Sequence, residues 1–166
     1  MAEPKTHNIV KRKKTDRRKL VEKTTNLAKH IAKVRDRYTC QMCGTVVDGS
    51  NCHGSHIIPV SADHRLEVHP INIKALCYHC HMNVWHKNVL ESGEWYENKF
   101  PQKRQWLREQ RIINSPLGTI STSWLEWWCC VLNGIKGASR EEIVEWENNY
   151  IDNSIHDWVF IKEEEL

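Results

Sequence analysis

Two CxxC pairs, Cys40/Cys43 and Cys77/Cys80, stand at either end of a histidine-rich segment. Two thiolates separated by two residues converge in a tight knuckle, and two such knuckles complete a tetrahedral zinc site. The 33 residues between the pairs are too many for a simple finger, but they suit two knuckles that staple an inserted hairpin. Of ten histidines, seven (His53, His56, His64, His69, His79, His81 and His86) fall between Cys52 and His86. A four-thiolate site leaves these imidazoles unexplained. His53, His64, His69 and His79 read as satisfied polar or surface groups, whereas spacing singles out His56, Asn72 and His81 as groups for chemistry.

The elements that must position them belong to one modest core. The chain has 166 residues, with 40% hydrophobic and 27% charged, which is ordinary for a soluble protein and argues against wholesale disorder. No apolar run approaches the length that a bilayer demands, and the first residues are polar and basic, so neither a membrane span nor a secretory signal is expected. The seven cysteines make a poor disulfide framework, because Cys129 and Cys130 are adjacent and Cys52 is alone. Metal binding in a reducing, cytoplasmic compartment fits better.

The net charge of +3 conceals an uneven layout. Residues 1–37 carry an excess of +9, residues 38–112 about balance at +1, and residues 113–166 carry −7. A basic leading part points to a polyanion as partner. Lys11, Arg12, Lys13 and Lys14 read as an arm that tracks phosphates through counterion release. From Asp16 onward, Leu20, Thr24, Leu27, Ile31 and Val34 recur at helical spacing. Arg17, Arg18, Lys19, Lys23, Lys29, Lys33, Arg35 and Arg37 are then expected on the remaining surface.

In the middle, Asp48-Gly49 is a hairpin dipeptide, residues 55–60 read as extended before and around Pro59, and a helix is expected from Leu76 through Cys80, Val84 and Lys87. Further helices are expected over 94–100 and 101–113, with Pro101 in a first turn. In the last third, Ser123/Glu126 and Ser139/Glu142 have capping-box spacing, with Asn133-Gly134 ending the first of the two helices. Four glutamates on the second helix (Glu141, Glu142, Glu145, Glu147) make it a poor reader of a DNA groove. Trp124, Trp127, Trp128, Trp146 and Trp158 read as core or protein-contact residues. The division expected is 1–37, a basic arm and amphipathic helix; 38–112, a zinc-bound core with a trailing basic helix; and 113–166, an acidic, Trp-rich helical extension.

"SHIIP" around His56, "PIN" ending at Asn72 and "LCYHCH" ending at His81 together resemble the HNH (ββα-metal) endonuclease family. The continuation "WHKN", with Glu91, Trp95 and Arg65, is similar to its phage and mobile-element branch of NinG-like proteins. The resemblance covers roughly residues 27–107. It implies an α+β, mostly helical fold whose zinc-stapled ββα-metal core is flanked by helices. It also implies His56 as general base, Asn72 as the anchor of the catalytic loop with the metal in reach, and His81 as ligand of a Mg²⁺ or Mn²⁺ ion. Arg65 would neutralise a non-bridging phosphate oxygen. Many family members carry an aspartate before the general base, where this chain has Ser55. His86 is then the expected second ligand, with His53 next in line.

The resulting expectation is a metal-dependent DNA endonuclease, placed on its substrate by Lys11, Arg12, Lys13, Lys14, Arg17, Arg18 and Arg65. It would hold structural zinc on Cys40, Cys43, Cys77 and Cys80, and work in the cytoplasm, that of a host cell if phage-encoded. The alternatives are a zinc-stapled DNA- or junction-binding protein without turnover, and an adaptor whose acidic end docks on another protein.

Overall fold

The computed structural model describes residues 15–113 and 120–153. The arm residues Lys11, Arg12, Lys13 and Lys14, together with Trp158 and Glu163 to Glu165, lie outside them. Helix α1 (Asp16–Arg35) begins one residue after its cap: Thr15, not Asp16, accepts the backbone N–H of Arg18. Its apolar stripe is broader than Leu20, Leu27, Ile31 and Val34 alone, because Ala28 and Ala32 are also fully buried. That stripe packs against α4 (Thr122–Ile135) and the start of α5 (Arg140–Asn153), burying Trp124, Leu125, Trp128, Leu132 and Ile143 in one cluster. The first and last thirds of the chain therefore share a core. Trp124 and Trp128 are core residues as expected, while Trp127 stays half exposed.

Against α1 also packs a two-stranded antiparallel sheet, β1 (His53–His56) and β2 (Ile73–Leu76), in which Ser55 faces Lys74 and His56 faces Ile73. The fold is thus mostly helical, with a small sheet. Strand β2 is buried along its whole length. It leads through Cys77 into a short helical stretch whose Cys80–Trp85 portion is a π-helix, a form frequent at functional sites. Helices α2 (Val89–Lys99) and α3 (Pro101–Ile113) follow, and they close over a second apolar cluster of Ile58, Leu66, Ile71, Tyr96, Trp106 and Leu107. No helix among the described residues is long and apolar enough to cross a membrane.

Three expectations about local structure need correcting. Asp48-Gly49 does not turn a hairpin. The bridge Thr39–Val46 instead closes around Gly44, at φ 77°, and Gly49 opens a short 3-10 turn into β1. The cap of α4 is Ser121, whose hydroxyl accepts the N–H of Trp124, so Ser123 lies inside the helix, which continues past Gly134 to Ile135. The box at Ser139 and Glu142 does form, with both N–H and hydroxyl of Ser139 donating to the Glu142 carboxylate.

The third concerns Arg35, expected on the surface and found 6% exposed. Its guanidinium donates to the carbonyls of Pro70 and Ile73 and pairs with Asp36 and with Glu147 at 2.5 Å. Glu147 accepts from Lys103 Nζ at 2.6 Å as well, so one buried carboxylate ties α5 to α1 and α3. The flanking cations hold its carboxyl in the charged form against the cost of burial. Removing the carboxylate takes a buried counter-charge from Arg35 and the partner of the half-buried Lys103, so Glu147→Ala should lose about 3 kcal/mol in denaturant unfolding, the low end for a broken buried pair because Arg35 keeps Asp36. A loss below about 1 kcal/mol would mean that the site relaxes to water.

Candidate functional site

The four cysteines meet as their spacing suggests. Cys40, Cys43, Cys77 and Cys80 bring their Sγ atoms within 4.8 Å of one another, the one such convergent group of metal-ligating side chains among the described residues. The Cys43–Cys77 separation is 3.9 Å, close to the edge of about 3.8 Å that a tetrahedron with Zn–S bonds of about 2.3 Å requires. The first knuckle is held by the Thr39–Val46 bridge and by the Gln41 N–H donating to the Ala75 carbonyl, the second by the end of β2. The donor set fits a metal ion such as zinc. Cys43, 3.3 Å from the Thr45 hydroxyl, has its thiol held down at about 6 by hydrogen bonds from Thr45, whereas burial pushes the Cys40 and Cys80 thiols up.

Beside this staple, β1, the π-helical stretch, α2 and α3 enclose a cleft of 460 Å³. Its lining brings together His56, His81 and His86 with three cations, Lys29, Arg104 and Arg111, and among the described residues it includes no carboxylate side chain. His56, the last residue of β1, donates from Nε2 to the Glu67 carbonyl at 2.9 Å, a direction fixed because a carbonyl can only accept. Its Nδ1 therefore carries the lone pair. Burial lowers the His56 pKa, more than the Glu67 bond raises it, so the ring is neutral near pH 7.

Asn72 is fully buried and does not line the cleft. Its Oδ1 accepts from the Ile58 N–H at 2.8 Å, and its Nδ2 donates to the carbonyls of Ile58 and Leu66. These bonds fix the turn that carries Glu67, and so the carbonyl that orients His56. The Asn72 amide is thus occupied by backbone partners, away from the cleft lining.

His81 sits between two other imidazoles, with Nδ1 2.8 Å from His53 Nδ1 and Nε2 3.1 Å from His86 Nε2. Burial, and then the neighbouring His86 and His53, push its pKa down to about 4, so the His81 ring is neutral near pH 7 and keeps one nitrogen lone pair. Two ligand nitrogens about 3 Å apart match adjacent positions around an ion with bonds of about 2.1 Å, and the His81–His86 pair has that spacing on the cleft side.

Ser55 is 1% exposed and absent from the cleft lining, and its hydroxyl has no hydrogen-bond partner. The position thus supplies no ligand. Across from it, Lys74 is buried with its Nζ 3.0 Å from the centre of the Trp85 ring.

The basic residues singled out in the sequence divide. Arg18 is exposed on α1. Arg17 donates to the Ile120 carbonyl and to the Thr122 hydroxyl, tethering α1 to the start of α4. Arg65 is not in the cleft: it is held by Asp63 through Nε and Nη2, and the cations that line the cleft are Lys29, Arg104 and Arg111. Lys29 reaches the cleft across Gly54, where a Cβ would come within 2.8 Å of Lys29 Cγ. The GSH run in β1 thus carries a signal that sequence reading missed, since only a glycine admits the lysine stem there. Of the other histidines, His69 is neither satisfied nor on the surface. It is fully buried between Trp106, Trp128 and Tyr150 with neither ring nitrogen hydrogen-bonded.

Comparison with family models, curated proteins and solved structures returned no match.

Proposed function

We propose that this protein is a metal-dependent DNA endonuclease of the HNH type. The observation that carries the reading is the single cleft that gathers a neutral, oriented His56, the His81–His86 pair and three cations, without a carboxylate to repel a phosphate. Lys29, Arg104 and Arg111 would bind the backbone phosphates and set the scissile group against His56. His56 Nδ1 would take the proton from an attacking water, and the Glu67 carbonyl would hold the imidazolium that results. A Mg²⁺ or Mn²⁺ ion on His81 and His86 would supply charge neutralisation at the phosphorus and at the departing 3′ oxygen. Zinc on the four cysteines would be structural, holding the first knuckle against β2 and the helical stretch that carries His81.

A DNA-binding protein without turnover is favoured by one feature: Ser55 faces inward, so the proposed ion has imidazoles and no carboxylate among its protein ligands. Plasmid nicking separates the two readings. The zinc-loaded protein should relax supercoiled DNA with added Mn²⁺ or Mg²⁺, and His81→Ala and His86→Ala should each reduce the rate. DNA binding with no nicking under any divalent ion would leave the binder.

A further inference from the structure

We infer that His53 is a positioning residue that sets the tautomer of His81 and so aims its metal-binding lone pair into the cleft. The inference rests on the proposal that His81 and His86 hold the ion. It starts from the Ser50 carbonyl, which lies 3.0 Å from His53 Nε2 and can only accept a hydrogen bond. The proton of neutral His53 is therefore on Nε2, and its Nδ1 presents a lone pair. The 2.8 Å contact between the two Nδ1 atoms then needs a proton from His81, so His81 is the Nδ1–H tautomer. Its Nε2 is left with the lone pair, directed to the side where His86 Nε2 stands 3.1 Å away. A backbone oxygen thus decides, through two rings in series, which nitrogen of His81 can bind a cation. Such partners raise ligand basicity and fix ring orientation.

The fold holds this relay from both ends. Ser50 belongs to the short turn Gly49–Asn51, whose first residue sits at φ 45°. Asn51 Oδ1 in the same turn accepts the N–H of Tyr78 at 2.9 Å, which pins the turn to the start of the segment that carries His81. The Tyr78 ring meets His53 edge-on, with centroids 5.7 Å apart. His53 is therefore fixed in the plane that its two hydrogen bonds require. It does not line the cleft, which separates its role from that of a ligand.

Two measurements on the zinc-loaded chain test this. Long-range ¹H–¹⁵N correlation spectra, with no second ion added, should show His53 protonated on Nε2 and His81 on Nδ1; His81 protonated on Nε2 overturns the relay. Mn²⁺ titration followed by EPR should then show His53→Phe weakening binding by about 10- to 100-fold, with His53→Asn, whose Oδ1 can replace the Nδ1 acceptor, recovering most of it. Equal loss in both variants, or none in either, overturns the inference. So does the disappearance of one imidazole from the Mn²⁺ coordination sphere in the His53 variants, since that makes His53 a ligand. None of these readouts needs DNA cleavage, so a protein that fails to nick DNA can still pass them.

Discussion

His56→Ala should abolish measurable DNA nicking, with the rate falling by about 10²- to 10⁴-fold, the usual contribution of a positioned general base. His56 is the cleft imidazole whose tautomer is set by a backbone carbonyl, and the ring nitrogen left free is the one that can accept a proton. The fold should survive, because His56 is only partly buried and its single hydrogen bond is to a turn that Asn72 holds independently. The pH profile gives a second signature. Burial lowers the His56 pKa, and a base works in its deprotonated form, so the rate should be level through pH 7 and fall only below about 6.5, the ordinary histidine value. In the alanine variant that acid limb should vanish from any residual activity. His64→Ala, an exposed position outside the cleft, should leave both rate and profile unchanged. Cleavage undiminished in His56→Ala would remove this residue from the mechanism.

The second large effect is loss of the metal at the cysteines. Around them, the other buried side chains of the knuckle cluster are Val47, Cys52, Ala75 and Leu76, with Met42 and Trp85 partly buried beside them. So few apolar groups cannot hold two knuckles together. A structural zinc contributes on the order of 10 kcal/mol in small modules, comparable with the whole stability of about 5–15 kcal/mol for a typical domain. Cys77→Ser, or a strong chelator, should therefore melt residues around the two knuckles and disperse His81 and His86 from His56. Helices α1, α4 and α5 share a separate cluster, so far-ultraviolet circular dichroism should fall only in part while zinc content and nicking are lost together. The metal needs thiolates. With Cys40 and Cys80 pushed up by burial, binding must expel protons, and affinity should weaken as the pH falls. Thermal unfolding unaffected by chelation would mean that the cysteines are free thiols and hold no structural metal.

Much of this was legible because it depends on short-range spacing. The CxxC pairs, the Ser139–Glu142 box and the start of α3 at Pro101 are decided by residues within a turn of one another. The apolar stripe of α1 was legible for the same reason, but Arg35 was not. A cation at a helix end reads as solvated unless its buried counter-charge is known, and Glu147 lies 112 residues further on. The same distance in sequence hid the cleft. Lys29, Arg104 and Arg111 come from α1 and α3, and they line one cleft with His56 only because the fold brings these distant segments together. Ser121 took the cap from Ser123 because both offer a hydroxyl near the same helix start, and only the backbone path of residue 120 onward chooses between them. Sequence spacing ranked His86 ahead of His53 as a second ligand beside His81, but it could not say how either ring meets His81. The side of the ring on which each stands is a three-dimensional fact.

The central claim is that one cleft presents His56 and a divalent ion to the same phosphate. Crystals soaked in Mn²⁺, with anomalous data collected at the manganese and zinc edges, address it directly. The expected map has zinc among the four cysteine sulfurs and manganese within about 2.2 Å of both His81 Nε2 and His86 Nε2, on the side that His56 faces. Manganese bound elsewhere, or zinc alone with the histidine cluster closed on itself and His56 turned from it, would contradict it.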